Sequence, residues 1–133
     1  MIGLDTNVLV RYITQDDPRQ TALANLLLEE RLSPETPGFV SLVVLIELVW
    51  VLESGYESDR AEIASVLDRL LRAKPLVVER ADVASQAARL YASGKADFAD
   101  CVIERTGHAN ACDHTLTFDR RAAKDAGMRL LER

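Results

Sequence analysis

Ile2-Gly3-Leu4-Asp5-Thr6-Asn7-Val8-Leu9-Val10-Arg11-Tyr12-Ile13 begins short and apolar, stops at a carboxylate and runs at once into a second apolar stretch. This predicts a brief buried strand that turns directly into a helix, with Asp5 at the junction. The same alternation continues along the chain. Asp17 and Pro18 signal a helix start, with Leu23, Leu26 and Leu27 as its buried face; Asp16 and Asp17 before Pro18 both read as capping residues. Ser33-Pro34-Glu35-Thr36-Pro37-Gly38 breaks the chain before a short strand, Phe39 to Ser41. Ser41 then caps a helix through Leu52 that closes at Gly55 in a left-handed turn, although its valine content leaves a strand as the alternative.

Ser58 opens the most regular helix, where Ile63, Val66, Leu67, Leu70 and Leu71 form one stripe. Leu76 to Val78 reads as a strand, Val83 to Tyr91 as a helix ending at Gly94, and Asp97 to His108 as another helix. Thr115 to Phe118 is the next strand, Asp119 begins a short helix, and Met128 to Leu131 is a terminal strand. Strands alternating with helices predict an α/β fold whose mostly parallel sheet is covered by helices on both faces.

The 133 residues suit a single domain, 1–133, since domains usually run to roughly 100–150 residues. A hydrophobic share of 48% with 28% charged residues excludes disordered and low-complexity classes. Lys and Arg number 16 against 21 Asp and Glu, a formal charge of −5, so the chain does not coat nucleic acid by bulk charge. The apolar start meets Asp5 too soon for a secretory signal, and the longest apolar block, Leu42 to Leu52, is too short to span a membrane. A cytoplasmic protein with reduced Cys101 and Cys112 is the expectation.

Ligands of parallel sheets gather beyond the carboxyl ends of the strands, which directs attention to Asp5 and Asp119. Either alone is explained as a helix cap, and Asp97 with Asp100 could form a capping-box-like pair. Glu47 is harder to dismiss. Ten of the eleven residues from Leu42 to Leu52 are apolar, which predicts a carboxylate among buried neighbours, where an ionised acid is costly unless paired or bound to metal. Together Asp5, Glu47, Asp97, Asp100 and Asp119 are hard oxygen donors of the kind that suits Mg²⁺ or Mn²⁺. Their five charges equal the whole formal excess of −5, so one metal-loaded pocket accounts for the acidity and a phosphodiester substrate is not excluded. Cys101, His108, Cys112 and His114 match no paired zinc spacing.

Four segments carry a resemblance: Leu4-Asp5-Thr6-Asn7-Val8-Leu9-Val10, Val40-Ser41 to Glu47-Leu48-Val49-Trp50, Ala96-Asp97-Phe98-Ala99-Asp100-Cys101-Val102-Ile103, and Leu116-Thr117-Phe118-Asp119. In this order and spacing the sequence resembles the PIN-domain ribonucleases, in particular the VapC-type toxins of bacterial toxin–antitoxin pairs. The resemblance implies a PIN-like three-layer fold and Mg²⁺- or Mn²⁺-dependent hydrolysis of RNA to products with 5′-phosphate and 3′-hydroxyl ends. It makes Asp5, Glu47, Asp100 and Asp119 the catalytic acids, with Asp5, Asp100 and Asp119 as metal ligands; Asp97, one turn from Asp100, either shares the metal or caps the helix. Thr6, Asn7 and Thr117 would orient carboxylates or waters, and Arg11, Arg120 and Arg121 would contact phosphate. It further implies a VapB-type antitoxin partner and a homodimer. Glu104 departs from the pattern, since relatives more often carry a small residue there.

Two rival classes remain. A phosphoacceptor or phosphatase domain also places Asp around Mg²⁺ at strand ends, but Thr6-Asn7 after Asp5 lacks the second Asp of the phosphatase pair, and Lys124 falls inside a helix. A non-catalytic PIN-like interaction module would not need every acid, and all are present.

Overall fold

The computed structural model describes residues 1–133 as two compact halves, Met1–Ala81 and Asp82–Arg133. The first half contains β1 (Ile2–Gly3), α1 (Thr6–Thr14), α2 (Pro18–Leu26, widening into a π-helical turn at Leu27–Arg31), β2 (Gly38–Val40), α3 (Leu42–Gly55), α4 (Arg60–Arg72) and β3 (Leu76–Val78). Its sheet runs β1-β2-β3, parallel throughout, with Ile2 opposite Gly38 and Phe39 opposite Val77. Parallel neighbours need long crossovers, which α1 with α2 supplies between β1 and β2, and α3 with α4 between β2 and β3. The second half contains α5 (Ala81–Ser93), α6 (Phe98–Ala109), β4 (Leu116–Thr117), α7 (Arg120–Asp125) and β5 (Arg129–Leu130), with β4 and β5 paired in parallel around α7. The expected α/β alternation and parallel pairing are present.

The caps follow the sequence closely. Asp17 accepts the amide of Gln20 at 3.0 Å, and Ser41 accepts that of Val44 at 3.1 Å. In α4 the cap is Asp59, not Ser58. Its carboxylate accepts the Glu62 amide at 2.8 Å while Glu62 accepts the Asp59 amide at 3.1 Å, a reciprocal pair that Ser58 has no position to make. Gly55 is likewise not a left-handed closure: α3 includes it, and the left-handed residue is Glu57 at φ 51°.

Packing overturns three expectations about faces. The buried face of α2 is Thr21, Ala24 and Leu28, while Leu23 is 60% exposed. Leu23, Leu26 and Leu27 are compatible with helical spacing, but periodicity says which residues share a face and not which face meets the neighbouring α1. β1 is an exposed edge strand, and Leu4 beyond it is the buried residue. α3 buries Val44, Leu45, Leu48, Val49 and Leu52, leaving Val43, Glu47 and Trp50 together on its outer stripe. Glu47 is therefore exposed and not ringed by buried side chains.

Candidate active site

In the first half, one threonine organises two acids. The amide of Leu4 donates to Phe39 O at 2.9 Å, which ends the β1 ladder and places Asp5 at the N-cap of α1 in extended conformation. Asp5 Oδ1 accepts the Thr6 amide at 2.8 Å. The Thr6 side chain, buried, donates its hydroxyl to Glu47 Oε1 at 2.7 Å. A buried hydroxyl must find a partner, and here the partner is a carboxylate on the middle of α3. Asp5 and Glu47 each keep a second oxygen that no protein donor occupies.

In the second half, Asp97 stands at the N-cap of α6 but its side chain accepts no capping hydrogen bond. The capping-box account of Asp97 and Asp100 therefore fails. Asp100, half-buried in the first turn, has its carboxyl raised above the usual range by burial first, and then by the negative charges of Asp97 and Asp119. Asp119 does cap α7, accepting the amides of Arg121 at 2.8 Å and Ala122 at 3.3 Å, both through Oδ1. Thr117 Oγ1 accepts the Asp119 amide at 3.0 Å and so fixes the turn that presents this acid. Capping and ligation are compatible here, because Oδ2 remains open.

Asp97, Asp100 and Asp119 offer oxygen donors only, the chemistry that suits a hard divalent ion, and the charges of Asp97 and Asp119 disfavour the ionised form of Asp100. Within neither half do three His, Cys, Asp or Glu side chains form a closed ligand group, and Cys101, His108, Cys112 and His114 form none for zinc. No disulfide joins Cys101 and Cys112.

The remaining site candidates divide. Asn7 is exposed on the wall of a cavity of about 300 Å³ with Val8, Arg11 and Leu23. Arg11 is committed: Nε donates to Gln20 at 2.7 Å, and Nη1 to Asp16 at 3.2 Å and to the Tyr56 hydroxyl at 3.3 Å. Asp16 is not a helix cap. It accepts from Tyr56 at 2.7 Å and Thr14 at 2.8 Å, which with Arg11 hold its carboxyl below the usual range, the Tyr56 bond first. Sequence reading missed this cluster, because its members are up to 45 residues apart and no spacing rule joins them. Arg120 and Arg121 are exposed in the first turn of α7, directly after Asp119.

The sequence model of the PIN domain matches residues 2–127. The chain belongs to the PIN-domain family. This PIN domain is 28% identical over 121 residues to a VapC ribonuclease of Aquifex aeolicus (strain VF5), covering 91% of this chain and 89% of that one. No helix of the PIN domain is long and apolar enough to cross a membrane.

Proposed function

We propose that this PIN domain is a metal-dependent endoribonuclease that hydrolyses RNA phosphodiester bonds as the toxin of a toxin–antitoxin pair. In this reading residues 1–133 work as a single domain, with Asp5, Glu47, Asp100 and Asp119 as catalytic acids and Asp5, Asp97, Asp100 and Asp119 as ligands of Mg²⁺ or Mn²⁺. The observation that carries it is Asp100 on the first turn of α6, a half-buried carboxylate whose ionised form is disfavoured by burial and by the nearby charges of Asp97 and Asp119. A chain that folds around repelling acids gives up stability for them, as metal-dependent sites do. The likeness to a protein named VapC ribonuclease supplies the substrate class.

When bound, the divalent ion supplies Lewis-acid chemistry, offsetting phosphate charge and acidifying water. The protein's own part is positioning. Thr6 holds Glu47 by its hydroxyl and Asp5 by its amide, so two acids share one buried anchor. Thr117 holds the Asp119 backbone amide and the α7 amides hold Oδ1, so Oδ2 would be the oxygen available to an ion. Arg120 and Arg121 are placed to meet phosphate, whereas Arg11 would first have to leave Asp16 and Tyr56. Asn7 orients water at the start of α1. The partners in this reading are RNA, a VapB-type antitoxin and a second copy of the chain, all in the cytoplasm.

The test is cleavage of RNA by the purified protein with Mg²⁺ or Mn²⁺, with mapping of 5′-phosphate and 3′-hydroxyl ends. EDTA is expected to stop cleavage, and chromogenic phosphate esters are expected to be inert. Cleavage undiminished by EDTA after dialysis would overturn the metal mechanism, and turnover of esters without RNA cleavage would favour a phosphatase. Light scattering at micromolar concentration is expected to give the mass of two chains; the mass of one would refute the homodimer.

A further inference from the structure

Helices α5, α6 and α7 enclose an open cleft of about 650 Å³ that plays no part in the carboxylate chemistry above. Its lining includes Arg89 and Ser93 from α5, Glu104 and Arg105 from α6, and Lys124 and Asp125 from α7. Of the four cavities described in this protein, it is the one lined by more than a single cation. In a chain of net charge −5 its lining carries three cations against two anions.

The charges in the cleft have unequal freedom. Arg105 donates Nε to Glu104 Oε1 and Nη2 to Glu104 Oε2, at 2.6 and 3.1 Å, and the pair is largely buried at 24% and 14% side-chain exposure. That fork leaves Arg105 Nη1 with only a 3.5 Å contact to Gln86, at the limit of hydrogen-bond length. The Arg89 and Lys124 side chains make no ion pair and are exposed. The cleft thus combines a largely buried, charge-neutral Glu104–Arg105 pair with two exposed cations that make no ion pair.

Its position along the chain relates it to the acids. Glu104 lies four residues after Asp100 on α6, so the cleft begins one turn from Asp100 on the same face, about 5–6 Å away between Cβ atoms. Lys124 and Asp125 end the helix that Asp119 begins. Asp125 and Glu104 disfavour a close anionic contact at their own ends, and the surplus of donors lies with Arg89, Arg105 and Lys124.

We propose that this cleft is a phosphate-binding groove for the RNA strand flanking the scissile bond, with Arg89 and Lys124 as its phosphate contacts and Glu104 as the positioning residue for Arg105. The proposal rests on the ribonuclease reading. Phosphate contacts position a strand without reading its bases, which suits a lining that carries cations and no aromatic ring.

The test is binding of labelled single-stranded RNA, read by anisotropy across a salt series, in the Asp100→Asn protein so that RNA survives. Each phosphate contact contributes about 0.7 to the salt slope on a single strand, which amounts to about fivefold in affinity at 0.1 M salt. Arg89→Gln and Lys124→Gln are each expected to weaken binding about fivefold and lower the slope by about 0.7, and together about 25-fold. Arg19→Gln, an exposed arginine on α2, is expected to leave both unchanged. In protein with Asp100 intact, the two cleft substitutions are expected to raise KM for RNA and leave kcat unchanged. Parental affinity and slope in the double variant, or an equal loss in Arg19→Gln, would overturn the groove while leaving the ribonuclease reading intact. Loss of antitoxin binding with RNA binding unchanged would overturn it in favour of a protein-docking site. Absence of both RNA binding and RNA cleavage in the unaltered protein would overturn the ribonuclease reading and the groove with it.

Discussion

Asp100→Asn separates a metal ligand from a structural acid. The amide keeps the size of the carboxylate and removes one charge from the cluster with Asp97 and Asp119, and no capping bond depends on it. Because burial and like charge raise the Asp100 carboxyl, its ionised form is disfavoured in the folded state. The stability it contributes is fully present below the ordinary carboxylate range and is lost as pH rises through the raised value. At neutral pH the metal-free variant is therefore expected to melt at the same temperature as wild type or higher. Metal reverses the order. A ligand at a hundred times its Kd stabilises by about 2.7 kcal/mol. With an unfolding entropy of about 2.1 cal/mol/K per residue, a chain of 133 residues gains about 3–4 °C per kcal/mol, so wild type should gain about 10 °C under that Mn²⁺. If the variant binds a hundredfold more weakly, the same Mn²⁺ yields about 0.4 kcal/mol, or about 1–2 °C. The assay is thermal melting with and without Mn²⁺, run beside RNA cleavage, which should fall by orders of magnitude. A variant that melts well below wild type without metal, gains the full Mn²⁺ increment and still cleaves RNA would refute the reasoning.

Thr6→Val keeps the buried shape but removes the hydroxyl that holds Glu47. With Glu47 exposed, a loss of about 1 kcal/mol, or about 3–4 °C, is expected, while cleavage falls more steeply than that; unchanged cleavage would show that the tether is structural. Tyr56→Phe removes the first of the hydrogen bonds that lower Asp16, so the Asp16 carboxyl should titrate at higher pH by NMR. Since a lowered carboxyl contributes stability above its unfolded pKa that is lost as pH falls through the folded one, the variant should also unfold earlier on acidification. On α3, Leu48→Ala should cost about 2–5 kcal/mol by urea unfolding, and Val43→Ala on the outer stripe less than about 0.5 kcal/mol; similar costs would mean that Val43 is covered in solution.

The sequence alone determined the order of elements, the caps at Asp17, Ser41 and Asp119, and the parallel pairing, because these depend on local chemistry and on chain lengths between strands. It also singled out Asp5, Asp97, Asp100 and Asp119 as candidates, because carboxylates after strands and in the first turn of α6 stand out without any coordinates, and Glu47 because it interrupts an apolar run. What it could not decide is direction. Glu47 sits in a run of ten apolar residues, yet helical rotation carries it outward beside Val43 and Trp50, and only the packing of α3 on α1 selects that rotation. Leu23 failed for the same reason. Asp16 reads as a cap by spacing, but its partners Tyr56 and Arg11 come from different helices, and a hydrogen bond across forty residues has no signature in one dimension. Asp97 and Asp119 look alike as caps in sequence; tertiary structure leaves one carboxylate without a capping bond and gives the other two amides, because side-chain rotamers answer to neighbours that the chain brings together only on folding.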